Sequence, residues 1–220
     1  MSRAPALANV IDKAIAEPGA LASALRKHLG PHPVPQSDAR TRGLMVELSA
    51  HPEDRARLQA ELPALSALLP LVSLEPGILC VLAVNETPPT SPDSFLLRPH
   101  VDRRYLPEGF SERAPRTTTV VFLDFPPEGQ GGELVIFPRG AFDGREAPPR
   151  EDARRTVAQA GGLLVEPRPG RACRFEGDLP HAVLGYAAPE GQPWRLAIVL
   201  AELDVVPGEP PPQWLLPEGP

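Results

Sequence analysis

The run Arg98-Pro99-His100-Val101-Asp102 sets an imidazole and a carboxylate two residues apart. On an extended strand that spacing sends both side chains to one face. Together they make two-thirds of a 2-His-1-carboxylate facial triad, which holds Fe(II) on one side and leaves the other open to reactants. The third ligand should be a distant histidine on a second strand. Gly177-Asp178-Leu179-Pro180-His181-Ala182-Val183 supplies one, His181, where an apolar run begins.

The surrounding sequence is rich in short strands. Ile78 to Val84 is a continuous apolar run, and Ser94 to Arg98 is the strand that delivers His100 and Asp102, after a loop from Asn85 to Asp93. Thr117 to Phe125 is β-branched and aromatic, with Thr117, Thr119, Val121 and Leu123 on one face. Glu133 to Phe137 follows a turn at Pro126 to Gly132. Four more strands, Leu163 to Glu166, Ala172 to Glu176, His181 to Tyr186 and Trp194 to Leu203, are separated by Pro/Gly turns. Such a series predicts a β-sandwich or barrel rather than a parallel βαβ sheet. Gly131-Gly132 suits either close backbone packing or a plain hairpin turn. Arg195 lies inside Trp194-Arg195-Leu196-Ala197-Ile198-Val199-Leu200, where a charge should not be buried unpaired. Its planar fork fits a carboxylate, from a ligand or from the protein itself.

In order along the chain, His100-Val101-Asp102, Gly131-Gly132-Glu133-Leu134, His181 and Arg195 resemble the iron(II)/2-oxoglutarate-dependent dioxygenases, in their prolyl-hydroxylase-like branch. The resemblance runs from about Ile78 to Leu203. It implies a mainly β fold with flanking helices, a double-stranded β-helix (jelly-roll) core and an N-terminal helical buttress. Residues 1–71 would form the helical segment, 72–206 the dioxygenase core and 207–220 a proline-rich tail. By the same resemblance His100, Asp102 and His181 are the iron ligands, and Arg195 pairs with the distal carboxylate of 2-oxoglutarate. Fe(II), 2-oxoglutarate and O2 would be the cofactor and cosubstrates of a C–H hydroxylation that releases succinate and CO2. Asp102 argues against the halogenating subgroup, which lacks this carboxylate.

The match has departures. Relatives often bind the distal carboxylate with a tyrosine as well, and none stands out at such a position here. Thr119 would take that role if its face lines the barrel. The turn from Ala187 to Pro193 is longer than usual between the histidine and the arginine. In the polar loop after Asp102, Arg103 or Arg104 either meets an anionic group of the substrate or is solvated.

The rest of the chain bounds the reading. A length of 220 residues suits one domain with extensions, and 31 prolines favour fixed loops over long helices. A net charge of −6 without a basic run argues against a nucleic-acid partner. No signal pattern or long apolar stretch predicts secretion or a membrane span, so a cytoplasmic location is expected. Cys80 and Cys173 lie in strand-like runs and read as buried thiols. The first seventy residues read as helical: Pro5 to Ala16, Leu21 to Leu29, and Pro52 to Leu69 with a break at Pro63. The prolines around His32 prevent a helical metal pair with His28. Pro138 to Gly162 is a long loop with a short helix from Arg150 to Ala160, and the tail is anchored by Trp214. The substrate is a small molecule or a protein side chain. Two other classes fit parts of the pattern: a cupin-like metalloenzyme without 2-oxoglutarate, in which Arg195 pairs internally, and a non-catalytic barrel serving as a binding module.

Overall fold

Apolar residues occupy both faces of the long central strands, so these strands need a packing partner on each side. In the computed structural model, which describes residues 7–32, 40–106, 109–142 and 148–216, they find two. The chain runs β1 (Asn9–Ile11), α1 (Pro18–Arg26), β2 (Gly30–Pro31), β3 (Arg42–Leu48), α2 (Pro52–Glu61), a 3-10 helix (Pro63–Leu71), β4 (Ile78–Thr87) and β5 (Phe95–His100). A small hairpin, β6 (Tyr105–Leu106) and β7 (Gly109–Phe110), precedes β8 (Thr117–Asp124), β9 (Gln130–Gly131) and β10 (Leu134–Ile136). After α3 (Ala153–Ala160) come β11 (Leu163–Val165), β12 (Ala172–Glu176), β13 (His181–Leu184), β14 (Tyr186–Ala187), β15 (Arg195–Asp204) and β16 (Trp214–Leu215).

One large antiparallel sheet has the order β1-β12-β8-β15-β4-β3-β16, with β2 also paired to β3. A smaller sheet has the order β11-β10-β13-β5. Alternation sorts each strand into two faces. Leu82 and Val84, Val121 and Leu123, and Ile198 and Leu200 face the helices, packing with Leu21, Leu25, Leu58, Leu65 and Leu68. The opposite parity, Val120, Phe122, Cys173, Phe175 and Ala197, faces the small sheet through Leu134, Ile136 and Val183. The outer face of the small sheet is covered by Ala153 and Val157 of α3. The interior between the two sheets is where the site lies. Among the described residues no helix is long and apolar enough to cross a membrane.

Three stretches differ from the sequence reading. The N-terminal part is not all helical. Asn9–Ile11 pairs with β12 at the sheet edge, because β-branched Val10 and Ile11 suit a strand and Lys13 takes a left-handed φ of 58° that no helix contains. The start of the expected helix, Pro5 and Ala6, lies outside the described residues. Arg42–Leu48, not assigned to any element from sequence, pairs with β4 inside the large sheet. Finally, β4 continues through Asn85, Glu86 and Thr87, where a loop is expected, because β15 is long enough to pair with all three. At Pro63 the helix does split, into α2 and the 3-10 segment. The tail adds Trp214 to β3 opposite Val46, with the Arg57 guanidinium 4.1 Å from the indole centroid. Both cysteines are free and buried, and burial pushes the Cys173 thiol up to about 12.

Candidate metal centre and anion slot

His100 ends β5 and His181 begins β13, and the two are direct partners in the antiparallel ladder. Directly opposed residues share a face. The rings lie 4.4 Å apart between centroids. Asp102, just past β5, reaches both: Oδ1 is 3.5 Å from His100 Nε2, and Oδ2 is 3.4 Å from His181 Nε2. One ligand atom from each of the three lies within 4.8 Å of the others.

The ring orientations are set by the backbone. His100 Nδ1 lies 2.9 Å from the Arg98 carbonyl oxygen and His181 Nδ1 lies 3.2 Å from that of Leu179. A carbonyl only accepts, so each Nδ1 carries a proton and each Nε2 is the nitrogen turned toward Asp102. A metal would displace any proton on Nε2 and find each ring already oriented, with the outer nitrogen tied down. Phe175 packs edge-on against His181 at 5.0 Å. Burial would raise the Asp102 carboxyl, but the His181 and His100 imidazoles outweigh it and hold the group well below the usual carboxylate range. Burial would likewise lower the His100 imidazole, and the Asp102 carboxylate more than offsets this, so it is raised. Two imidazoles and a carboxylate on one face form a donor set that suits Fe(II).

A further group supports Asp102. The Thr118 hydroxyl donates to Asp102 Oδ2 at 3.2 Å. Thr118 is fully buried on β8 and shares its inward face with Val120 and Phe122. Thr119, the expected contact, points the other way: it shares its parity with Val121 and Leu123, which pack against the helices. The expected face is therefore corrected by one residue. Valine in place of Thr118 should weaken Fe(II) binding by about 10-fold, the lower end for losing a partner that orients a metal ligand. An equilibrium metal titration of the variant measures it.

Along the same face of β8, Phe122 lies four residues from Thr118, roughly 13 Å at the rise of a strand. The Arg195 guanidinium carbon sits 5.5 Å from the Phe122 ring centroid. Arg195 is 3% exposed, its Nε has no hydrogen-bond partner, and it makes no ion pair with a described residue. Burial pulls its guanidinium down to about 10. Directly opposite on β4 stands Thr87, whose buried Oγ1 is also without a partner. Two orphaned polar side chains thus face one another on the interior side. Tyr186 fixes their backbones: its hydroxyl donates to the Thr87 carbonyl oxygen at 2.6 Å and accepts from the Arg195 amide at 2.9 Å. Tyr186 is opposite Gly131, which has a φ of 93° and where a Cβ would fall 2.4 Å from the Gly185 carbonyl oxygen. Close backbone approach therefore requires that glycine.

Arg104 is not brought to this site. It is 2% exposed and donates through Nε and Nη2 to the two carboxylate oxygens of Glu47 at 2.9 and 2.7 Å, with Glu209 3.3 Å from Nη1. A charge so buried is satisfied by that fork and is unavailable to a substrate. Arg103, its neighbour, is exposed.

No protein-family model matches the chain, and no curated protein matches it in sequence. By structure it is similar to a prolyl-4-hydroxylase from Pseudomonas putida, with a TM-score of 0.50 and 19% identity over 92% of this chain and 95% of that one. It is also similar to an oxidoreductase of the 2OG-Fe(II) oxygenase family from Burkholderia pseudomallei, with a TM-score of 0.51 and 13% identity over 90% and 84% of the two chains. The chain has the prolyl-hydroxylase fold. Within that fold, His100, Asp102 and His181 converge at one position of the interior, and Arg195 and Thr87 line another.

Proposed function

We propose that the protein is an iron(II)- and 2-oxoglutarate-dependent oxygenase that hydroxylates a C–H bond of a small molecule or protein side chain, with release of succinate and CO2. The observation that carries this reading is the unpaired, buried Arg195 guanidinium on the interior face that also bears Thr118, the support of Asp102. A buried cation needs an anion. A cupin-like enzyme without 2-oxoglutarate would satisfy Arg195 internally, and no described carboxylate does so. In this reading the two sheets form the double-stranded β-helix core, the helices before residue 72 buttress it, and the segment after 206 is a tail. Two buried free thiols support a cytoplasmic location, and the net charge of −6 supports a substrate other than nucleic acid.

His100, Asp102 and His181 would hold the iron, which when bound supplies the oxidising chemistry with O2 and 2-oxoglutarate. The chain itself supplies geometry. The carbonyl oxygens of Arg98 and Leu179 hold the histidine rings, and Thr118 holds the carboxylate. Arg195 would clamp the distal carboxylate of the cosubstrate, and the Thr87 hydroxyl would donate to it as the second contact. The interior positions Ala83, Asn85 and Val199 are only partly buried. Arg103, exposed and next in the chain after Asp102, would meet an anionic substrate group.

The test is addition of 2-oxoglutarate to anaerobic Fe(II)-loaded protein, read by the visible charge-transfer band and followed by succinate release on admitting air. Metal binding without a band sinks the reading. Thr87→Val, which keeps shape and removes the hydroxyl, should raise the 2-oxoglutarate Kd by about 10-fold, the usual worth of a hydrogen bond to a charged group. Thr87→Ser should restore most of it.

A further inference from the structure

The anion slot is assembled from three strands that meet at a distorted point. β15 and β8 shift register between Leu196 and Ala197, so that Leu196 faces Asp124 while Ala197 faces Phe122. The extra residue, Leu123, is a bulge, a device that re-aims a neighbouring side chain. Beneath this point, on the helix side of the sheet, lies Arg26 in the last turn of α1. Its guanidinium donates to Glu86 Oε1 at 2.6 Å, to Asp124 Oδ2 at 2.7 Å and to the Trp194 carbonyl oxygen at 2.8 Å. Glu86 precedes Thr87 on β4, Asp124 lies beside the bulge next to Phe122 on β8, and Trp194 precedes Arg195. Each contact is thus one or two residues from a group that lines the slot on the opposite face. Glu86 is 4% exposed and takes a second bond from Arg42 at 3.0 Å.

We infer that Arg26 is a positioning residue for the cosubstrate slot, a three-strand clasp that fixes Arg195, Thr87 and Phe122 relative to one another from behind the sheet. This rests on the oxygenase reading above. Three fixed donors of one planar group suit the role, since a guanidinium holds its partners in a set geometry and a flexible ammonium does not. Without Arg26, two neighbouring carboxylates, Glu86 and Asp124, lose their shared cation and repel across β4 and β8. The bulge then relaxes, and Arg195 loses its aim while remaining in place.

The experiment compares wild type, Arg26→Gln, Asp124→Asn, Arg195→Met and the Arg26→Gln/Arg195→Met double variant, all Fe(II)-loaded and anaerobic. Each is titrated with 2-oxoglutarate and with 2-oxovalerate, which has the same chelating end but no distal carboxylate, and read by the visible band. Arg26→Gln should raise the 2-oxoglutarate Kd about 10-fold, as misplacement of a binding group does, and leave that of 2-oxovalerate unchanged. Asp124→Asn, which keeps two of the three contacts, should give a smaller loss in the same direction and decides the matter if Arg26→Gln fails to fold. In the Arg195→Met background Arg26→Gln should add much less than it costs in the wild type, because residues acting through one group are not additive. A merely structural Arg26 would weaken both ligands alike, or neither, or add in full to Arg195→Met, and any of these overturns the inference. A wild type that binds metal but no 2-oxoglutarate overturns the oxygenase reading and this inference with it. A wild type that binds it normally, with Arg26→Gln unchanged, overturns this inference alone.

Discussion

Asp102→Ala should abolish succinate release and lower Fe(II) affinity by more than about 100-fold, beyond what losing a residue behind a ligand costs. Asp102 is the only anionic donor in the cluster, so its loss leaves two neutral imidazoles facing a divalent cation. Thr118 would then have its hydroxyl turned toward a methyl group, with no ligand left to orient. The apo protein should still fold, because the carboxylate makes no bond to the backbone of a described residue and the histidine rings keep their carbonyl partners. Metal titration with circular dichroism separates the outcomes. Wild-type iron affinity in a folded Asp102→Ala protein would remove Asp102 from the ligand set.

Much of this site is legible from residues alone, for a definable reason. His100 and Asp102 are two apart on a strand, so the chemistry fits in one local triplet. Arg195 announces itself as a charge in an apolar run. What sequence does not carry is register. Thr117-Thr118-Thr119-Val120-Val121-Phe122 is β-branched or aromatic on both parities, so nothing local says which set faces inward, and a slip of one residue exchanges the faces. The same limit hides Thr87: whether it is loop or strand depends on how far β15 extends, more than a hundred residues later in the chain. Arg103 and Arg104 are adjacent and identical, and partners far along the chain from Arg104, Glu47 at 57 residues and Glu209 at 105, distinguish them. The Arg26 clasp joins partners 60, 98 and 168 residues apart.

Arg195→Met tests the function and its alternative in one protein, because the two predict opposite changes in stability. If the guanidinium waits for a ligand carboxylate, its burial without a partner is unfavourable in the apo protein. An unbranched, apolar methionine should then raise the apo melting temperature, since apolar packing replaces an uncompensated charge. The same variant should lose about 10²- to 10³-fold in 2-oxoglutarate affinity, as truncating one side of a buried charge pair does. Its 2-oxovalerate affinity should match wild type. The wild type should gain stability on adding 2-oxoglutarate to the metal-loaded protein, and the variant should not, because only a ligand bound to the folded state shifts the midpoint. If Arg195 instead served an internal ion pair, methionine would strand a buried carboxylate and lower the melting temperature while leaving ligand affinity alone. Thermal scans of both proteins, with and without the cosubstrate, therefore give results of opposite sign under the two readings. A lower apo midpoint with unchanged cosubstrate affinity would remove Arg195 from the site.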